Sequence, residues 1–229
     1  MRRGIILASG GLDSLVTTAI ADTENDEIYL LHVNYGQRTE AKELECFESF
    51  VKHYKPAGVL NTNIEYLTKI GGSSLTDSQM EIKDYSAVEE VPNTYVPFRN
   101  AHMICIATSW AEVIGAQSIY IGAVEEDSSG YPDCRESFFE SFNQTIKLGT
   151  KNAFEIKIKT PVIHLNKAEI IKKGLELKAP FEISWSCYRS ETEACGTCDS
   201  CVLRLRAFKN AGMKDPIPYV GRANEKQSC

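Results

Sequence analysis

Apolar stretches and stretches with helical periodicity alternate along the chain. Residues 4–8 are apolar without alternation, which predicts a strand buried on both faces of a parallel sheet. In residues 39–54 the apolar side chains recur at three- and four-residue steps, which predicts a helix with Thr39 as its N-cap. The other elements predicted up to residue 64 are a helix at 13–22 and strands at 27–33 and 59–64. This order predicts an α/β fold with a doubly wound parallel sheet, whose ligands bind beyond the carboxyl ends of the strands.

The second half of the chain continues the alternation. The apolar periodicity of residues 99–114 predicts a helix, and Gly115 is expected to end it. Its predicted apolar stripe consists of Met103, Ile106, Trp110 and Val113. The later predicted elements are a strand at 118–122, helices at 138–148 and 166–177, and a half-exposed strand at 154–159. Residues 71–92 hold few large apolar side chains, so they are either a mobile lid over the ligand site or a passive insertion.

A glycine turn separates the first predicted strand from the first predicted helix. We name residues 9–14, Ser-Gly-Gly-Leu-Asp-Ser, the glycine loop. Glycines let the backbone approach an anion closely, and the first N–H groups of the helix point at it, so the layout is typical of a phosphate site. The loop is neither a Walker loop nor a Gly-x-Gly-x-x-Gly fingerprint. Asp13 and Ser14 stand where the helix should begin, and both are good N-cap residue types.

Composition narrows the class of function. The 229 residues include 25 Lys and Arg against 31 Asp and Glu, a net charge of −6. Such a chain has no excess of cations for the phosphates of a nucleic acid. No run approaches the ~20 apolar residues of a transmembrane helix, and the stretch at 4–8 is too short for a signal peptide. We therefore expect a cytoplasmic protein without a membrane partner and without a stable nucleic-acid partner.

Four cysteines cluster late in the chain with the spacing Cys-x7-Cys-x2-Cys-x2-Cys. They are Cys187, Cys195, Cys198 and Cys201. Disulfides are rare in the cytoplasm, so the cluster indicates a metal site, and four thiolates suit a closed structural zinc site. Cys198 and Cys201 stand at the start of the last predicted helix, where the helix N-terminus stabilises thiolates. The tight run also resembles the ligands of an iron–sulfur cluster, and this alternative stays open.

The glycine loop resembles the pyrophosphate loop, Ser-Gly-Gly-x-Asp-Ser, of the N-type ATP pyrophosphatase superfamily. Further stretches, spread over residues 4–211, resemble one family within it, the 7-cyano-7-deazaguanine synthases of the queuosine pathway. These stretches are His-Val-Asn-Tyr-Gly-Gln-Arg at 32–38, Val-Pro-Phe-Arg-Asn at 96–100, Gly-Tyr-Pro-Asp-Cys-Arg at 130–135, Thr-Pro at 160–161, Asn-Lys-Ala-Glu at 166–169 and Ser-Trp-Ser-Cys-Tyr at 184–188. One departure is Phe98, where the family usually has glycine, and it puts the backbone path before Arg99 in question.

The resemblance implies an ATP-dependent ligase that acts on a small molecule. In such an enzyme ATP adenylates the carboxylate of 7-carboxy-7-deazaguanine and releases pyrophosphate. Ammonia then gives an amide, and a second activation yields the nitrile. The resemblance also implies a structural zinc ion, Mg²⁺ bound with ATP, and a homodimer. We expect an ATP-binding α/β domain at residues 1–180 with a zinc-binding segment at 181–229 packed on it.

Candidate site residues follow from these motifs. We expect Asp13, Arg99 and Lys167 to be catalytic, with the two cations holding phosphate or the substrate carboxylate. Asp13 either helps to place the metal ion or only caps its helix. The candidates for substrate binding are Arg38, Asn100, Asp127 and Asp133. The candidates for binding ATP are Ala8, Ser9, Gly10, Gly11, Leu12, Asp13, Ser14, Leu15, Val16, Thr17 and Thr18.

Two other functions compete with this hypothesis. The first is another pyrophosphate-loop enzyme, such as one that thiolates tRNA, but the net charge of −6 speaks against a basic surface for tRNA. The second is a zinc-ribbon binding module that binds ATP without turnover, and the intact glycine loop speaks against it.

Overall fold

The computed structural model describes residues 1–84, 91–125, 130–151 and 155–221. The strands in this part of the chain are β1 (Arg3–Leu7), β2 (Glu27–Asn34), β3 (Gly58–Asn63), β4 (Ser118–Ile121) and β5 (Lys157–Lys159). The helices are α1 (Leu12–Glu24), α2 (Glu40–Tyr54), α3 (Tyr66–Ile70), α4 (Arg99–Ile114), α5 (Glu136–Gly149), α6 (Lys167–Glu176) and α7 (Asp199–Asn210). Short 3-10 turns cover Pro132–Cys134 and Phe181–Ile183.

The five strands form one parallel sheet in the order β3-β2-β1-β4-β5. The chain runs outwards from β1 to β3, returns to the other side of β1 as β4, and continues to β5. Leu7 of β1 therefore pairs with Leu31 of β2 on one side and with Ile121 of β4 on the other. The prediction of a doubly wound parallel sheet is confirmed, and the order reverses between β1 and β4, where ligands of such sheets bind.

Both faces of β1 are buried, as its unbroken apolar run predicts. Ile5 and Leu7 belong to a core that includes Ile104 of α4. Ile6 belongs to the opposite core, which includes Leu15 of α1 and residues of α2, α6 and α7. Successive side chains of a strand point to opposite faces, so this single strand separates the two cores.

The predicted apolar stripe of α4 is wrong in part. The buried side chains of this helix include Ala101, Ile104, Ala107 and Ala111, whereas Val113 is 83% exposed. Met103, Ile106 and Trp110 lie at the edge of the core, only partly buried. Alanines bring the helix close to the sheet, so the small residues form the contact and the larger ones flank it.

Two of the helix ends predicted from the sequence are confirmed, and the predicted start of α1 is not. Thr39 is the N-cap of α2, and Gly115 ends α4 in the left-handed region at φ 70°. However, Gly11 is the N-cap of α1, so Asp13 and Ser14 lie within the first turn and neither is the cap. The tight turn of the glycine loop starts the helix earlier than the side-chain types suggest, and this leaves the Asp13 carboxylate available for other contacts.

Phe98 immediately precedes α4 and adopts φ 57° and ψ 23°. This left-handed conformation is strained for most side chains and free for glycine, which explains why a related sequence would carry glycine here. Its ring makes edge contacts with the rings of His102 and Phe138, whose centroids lie 6.4 Å and 6.0 Å away respectively. The backbone before Arg99 thus has the conformation that glycine favours, although the residue at this position is a phenylalanine.

Some of the sequence predictions reach beyond the described residues. The half-exposed strand at 154–159 is confirmed as β5 for Lys157–Lys159, while residue 154 lies outside the described part. Asp127 also lies outside it. Among the helices that are described, none combines the length and the apolarity needed to cross a membrane.

Candidate active site

A cavity of about 1360 Å³ opens beyond the carboxyl ends of the central strands. Leu7 at the end of β1, His32 in β2 and Ile121 at the end of β4 line it. Its position at the point where the strand order reverses is the one that the fold predicts for a ligand.

The glycine loop forms part of the cavity wall, and its residue Gly10 has no room for a side chain. Gly10 has φ 81°, and a Cβ atom there would stand 2.6 Å from the Glu43 carbonyl oxygen and 2.9 Å from Cys46 Cβ. The Gly10 carbonyl accepts a hydrogen bond of 2.9 Å from the Trp185 N–H. The turn therefore requires glycine both for its backbone angle and for its neighbours.

The start of α1 presents donors to the cavity. Leu15 donates the first helical hydrogen bond, to the Gly11 carbonyl at 3.0 Å, so the N–H groups of Leu12, Asp13 and Ser14 precede the helical ladder. The Ser9 hydroxyl donates to Ser14 Oγ at 3.2 Å, and Ser14 Oγ donates to the Gly11 carbonyl at 3.0 Å. A helix N-terminus with these donors is suited to an anion.

The predicted ATP-binding stretch divides into two parts. Six of its residues line the cavity, and Gly10 lies behind them in the turn. Leu15, Val16, Thr17 and Thr18 are fully buried in α1, and the structure does not bring their side chains to the cavity. The six lining residues are Ala8, Ser9, Gly11, Leu12, Asp13 and Ser14.

Asp13 and Lys167 form an ion pair across the cavity wall. Lys167 Nζ lies 2.6 Å from Asp13 Oδ2, and their side chains are 14% and 25% exposed. Lys167 is placed by the start of α6, where Asn166 and Glu169 form a capping box. Asp13 Oδ1 is buried and finds no hydrogen-bond partner among the described residues. A buried carboxylate oxygen of this kind is a suitable ligand for a cation.

Arg99 is held against the cavity wall by Tyr35. Its Nη1 donates to the Tyr35 hydroxyl at 3.0 Å, and its guanidinium carbon lies 5.2 Å from the centroid of that ring. Burial opposes the charge, but the surrounding Tyr35, Tyr131 and Asp133 side chains outweigh it and raise the pKa of Arg99. Its buried Nε has no hydrogen-bond partner within the described ranges. Arg99 is therefore a fixed cation with donors left for an anionic ligand.

Asn100 and Asp133 bind each other. The Asn100 backbone N–H donates to Asp133 Oδ2, and Asn100 Nδ2 donates to the Asp133 carbonyl, both at 2.9 Å. Asn100 lines the cavity, whereas Asp133 is 3% exposed and is not among the described lining residues. Burial raises the pKa of Asp133, while the bond from Asn100 and the charge of Arg99 oppose that rise. The pair fixes the beginning of α4 and so the position of Arg99.

Arg38 lies away from the cavity. The side chain is exposed and donates from Nη2 to the carbonyl oxygens of Asp77, at 2.7 Å, and Met80. Its backbone N–H donates to the Leu75 carbonyl at 3.0 Å. Arg38 thus holds the chain near residues 75–80 in place.

The described parts of residues 71–92 form one wall of the cavity. Leu75, Lys83 and Asp84 are among the lining residues. Arg189 holds this wall, because its Nη1 lies 2.6 Å from Asp84 Oδ1 and its Nη2 donates to the Ile82 carbonyl. The segment is therefore packed against the residues around the cysteines.

Several cavity residues were not singled out by sequence reasoning. Tyr131 and Tyr188 line the cavity beside Tyr35, and the Tyr131 hydroxyl is 2.7 Å from Thr94 Oγ1. Burial raises the pKa of Tyr131 and of Tyr188, so both hydroxyls stay protonated. These tyrosines occur in the short motifs found in the sequence, but only the fold shows that three of them share a wall. Glu43 of α2 also lines the cavity.

The four cysteines come together as their spacing predicts. Their Sγ atoms all lie within 4.8 Å of one another. Backbone N–H groups of Arg189 and Cys195 donate to Cys187 Sγ at 3.4 Å, and the Cys198 N–H donates to Cys195 Sγ at 3.4 Å. Such donors stabilise metal-bound thiolates, so the donor set and its surroundings fit a metal ion.

Thiol ionisation gives the same indication. Hydrogen bonds from Cys198 and Cys201 lower the pKa of Cys187 far below its usual range. The Cys187 thiolate in turn raises the pKa of Cys198 to about 12 and that of Cys201 further. Four thiolates cannot share so small a space without a cation, so full deprotonation of the cluster requires a metal ion.

The cysteine cluster reaches the cavity through Cys187. Trp185, Ser186, Cys187 and Tyr188 all line it, and so do several side chains of α7. This region is joined to α7 by Arg204, whose Nη1 donates to Ser184 Oγ at 3.0 Å and to Ser186 Oγ at 3.2 Å. The metal site and the glycine loop are therefore walls of one cavity.

Comparison with known proteins identifies similar chains. The family model described as queuosine biosynthesis protein QueC matches residues 3–212. The chain is 58% identical over 222 residues to the 7-cyano-7-deazaguanine synthase of Chlorobium phaeobacteroides, covering 96% of this chain and 98% of that protein. It is 54% identical to the Chlorobaculum tepidum protein of the same name, covering 98% and 100%. A solved 4-thiouridine synthetase in complex with RNA and ATP matches with a TM-score of 0.50 and 19% identity, covering 95% of this chain and 47% of that one. This last likeness is one of fold.

Gly122, just after β4, provides a test of the cavity geometry. A Cβ atom there would lie 2.8 Å from the Asp13 carbonyl carbon and 2.9 Å from Ser14 N, both backbone atoms. We expect Gly122→Ala to lower the free energy of unfolding by about 1–3 kcal/mol, because the start of α1 must shift. The measurement is urea unfolding.

The matched control is Gly149→Ala at the end of α5, where a Cβ atom would meet nothing within 4 Å. It should be neutral or stabilising by up to ~1 kcal/mol, because alanine favours a helix. Equal stability of Gly122→Ala and wild type would show that the end of β4 does not constrain the glycine loop.

Proposed function

Because the chain belongs to the QueC family of queuosine biosynthesis proteins, we propose that it is a 7-cyano-7-deazaguanine synthase, an ATP-dependent ligase. Its substrates are 7-carboxy-7-deazaguanine, ammonia and ATP. The proposal rests mainly on one observation. The glycine loop, the Asp13–Lys167 pair and Arg99 all line the same cavity. These groups are of the kind needed to hold a polyphosphate and to activate a carboxylate.

The glycine loop is proposed to bind the β- and γ-phosphates of ATP. The N–H groups at the start of α1 would receive the pyrophosphate, and Lys167 would balance its charge. Mg²⁺ bound with ATP would add charge neutralisation at the leaving group, and the unpaired Asp13 Oδ1 is the candidate ligand for it. Asp13 therefore serves the ion and Lys167 in this proposal, and its helix is capped by Gly11.

The tyrosine wall suits a flat heterocycle. Tyr35, Tyr131 and Tyr188 present aromatic surface and protonated hydroxyls, which can stack against and hydrogen-bond to a deazaguanine. Arg99 is proposed to hold the substrate carboxylate, with Asn100 beside it. Asp133 and Arg38 are proposed to act without contacting the substrate. Asp133 fixes the start of α4, and Arg38 holds the cavity wall at residues 75–80. A substrate contact by Asp127 stays a prediction.

The proposed chemistry has two activations. In the first, a carboxylate oxygen attacks the α-phosphorus, pyrophosphate leaves, and the acyl adenylate forms. Ammonia replaces AMP to give the amide. In the second, the amide oxygen attacks the α-phosphorus of another ATP, and loss of AMP and two protons leaves the nitrile. Positioning and charge stabilisation supply most of the rate increase in such reactions.

The test of function is a product assay. The purified protein with ATP, Mg²⁺, ammonium and 7-carboxy-7-deazaguanine should form 7-cyano-7-deazaguanine, with AMP and pyrophosphate as the other products. Asp13→Ala should lower substrate-dependent pyrophosphate release by ~100-fold or more, because it removes the charge partner of Lys167 and the candidate Mg²⁺ ligand.

Asp22→Ala is the control, since Asp22 lies exposed near the other end of α1. It should behave as wild type. A wild-type protein that makes no nitrile, or an Asp13→Ala variant that releases pyrophosphate at the normal rate, would contradict the proposal.

The metal is proposed to be a structural zinc ion. Four cysteine ligands with no open position suit zinc, and two of them stand at the start of α7. We expect about one zinc ion per chain by elemental analysis. Cys198→Ser should reduce the zinc content and lower the unfolding temperature, because zinc ties residues 187–195 to α7. Broad visible absorbance with iron in place of zinc would identify the iron–sulfur alternative.

The proposal includes two units and a homodimer. Residues 1–180 would form the ATP-binding unit, and residues 181–229 the zinc-binding segment, in which the Trp185 N–H donates to the Gly10 carbonyl at 2.9 Å. The dimer is proposed to bury Val113, which lies near the end of α4 and is 83% exposed. Light scattering should then give twice the chain mass, and Val113→Glu should give the single mass. No nucleic-acid or membrane partner is proposed, and the expected location is the cytoplasm.

A further inference from the structure

Glu43 is an acidic side chain of the cavity wall to which the proposed binding scheme assigns no role. It lies in the first turn of α2 and lines the cavity. Its own carbonyl oxygen would stand 2.6 Å from a Cβ atom on Gly10, so the residue sits directly against the glycine loop. Its carboxylate is also near enough to Arg99, the proposed partner of the substrate carboxylate, for the Arg99 charge to act on it.

The carboxylate of Glu43 is held in one orientation. Thr39 Oγ1 donates to Oε1 at 2.9 Å, and Gln37 Nε2 donates to Oε2 at 3.1 Å. Gln37 is itself fixed, because its Oε1 accepts the Tyr35 N–H at 2.9 Å. Thr39 and Gln37 are both buried. An ionised carboxylate has about four acceptor positions, so each oxygen keeps one for a ligand in the cavity.

Its surroundings favour a proton acceptor that works near neutral pH. Burial raises the pKa of Glu43 to about 7, while the bonds from Thr39 and Gln37 and the charge of Arg99 oppose that rise. A general base is most effective when its pKa lies near the working pH. The same carboxyl can therefore take up a proton and return it to solvent.

Other titratable groups near the glycine loop are less suited to this task. Asp13 is paired with Lys167. Both ring nitrogens of His32 are engaged at 2.9 Å, with the Ala8 carbonyl and Asn34 Oδ1, and burial lowers its pKa. Burial raises the pKa of Cys134 to about 11. Compared with these three groups, Glu43 combines an open acceptor position with a pKa near neutral pH.

We propose that Glu43 is the proton acceptor that converts bound ammonium into the ammonia that attacks the acyl adenylate, an inference that rests on the proposed function. Most ammonia is protonated near neutral pH and has no lone pair for attack. One N–H bond of ammonium breaks and an O–H bond forms on Glu43. The nitrogen lone pair then forms the C–N bond, the C–O bond to AMP breaks, and AMP leaves with that electron pair. The surplus proton on nitrogen passes to water, which leaves the amide.

The test compares two nucleophiles with the full-length Glu43→Gln variant. Ammonium needs a proton acceptor, whereas hydroxylamine is a weaker base and is already neutral near neutral pH. Each is added with ATP, Mg²⁺ and 7-carboxy-7-deazaguanine, and the amide, nitrile or hydroxamate is measured together with pyrophosphate. We expect the ammonium reaction to fall by ~100-fold or more and the hydroxylamine reaction to fall far less.

Two further variants complete the design. Glu48→Gln, an exposed position on α2, should react as wild type with both nucleophiles. Glu43→Ala should regain part of its ammonium reaction when formate is added, because formate can occupy the space of the missing carboxylate. This second variant keeps the test decisive if Glu43→Gln does not fold, which thermal unfolding would show.

The outcomes separate the two proposals. If wild type releases no pyrophosphate with the carboxylate substrate, the proposed function fails, whatever Glu43 does. If wild type is active and Glu43→Gln loses the ammonium and hydroxylamine reactions equally, Glu43 is not the proton acceptor. Absence of any formate effect on a folded Glu43→Ala variant would also overturn the assignment.

Discussion

The close approach of backbone at Gly10 and Gly122 is the constraint on which the site depends. Neither position has room for a Cβ atom, because Gly10 faces the Glu43 carbonyl and Gly122 faces the backbone of Asp13. Without this contact the start of α1 could not sit between the ends of β1 and β4. The helix N-terminus, Asp13 and Glu43 reach one cavity because glycines, which have no side chain, let the backbone segments pack closely there.

The region around the cysteines depends on a second constraint, the buried pair of Arg204 and Asp215. Their side chains are 2% and 0% exposed, and Tyr219 donates a further hydrogen bond of 2.7 Å to Asp215. A buried ion pair costs desolvation, which bidentate geometry and added hydrogen bonds must offset. Arg204 also donates to Ser184 Oγ at 3.0 Å, next to Trp185, whose N–H binds the Gly10 carbonyl. The region around the cysteines is thus connected to the glycine loop by hydrogen bonds at neighbouring residues.

Whether a predicted site residue reaches the cavity depends on contacts that are distant in the sequence. Five glycine-loop residues, all except Gly10, line the cavity, but the four residues after Ser14 are buried, because α1 packs in a core with the sheet, α2, α6 and α7. Arg38 is the last residue of the motif at 32–38, yet its side chain donates to the backbone carbonyls of residues 77 and 80. Glu43, by contrast, is one of four glutamates in α2, and no motif in the sequence distinguishes it from the others. Sequence spacing on a helix indicates a face but does not show what that face will meet.

The sequence by itself determined the parallel sheet, the place of the glycine loop and the cysteine cluster, because strand periodicity, turn chemistry and ligand spacing are local properties. The family resemblance drawn from short motifs also agrees with the match over residues 3–212. Tertiary structure alone decided that Asp13 meets Lys167, 154 residues away, instead of capping its helix. It also decided that alanines form the buried stripe of α4 and that Glu43 faces the cavity. These outcomes depend on which helix surfaces meet when they pack on a shared sheet, and no local pattern encodes that choice.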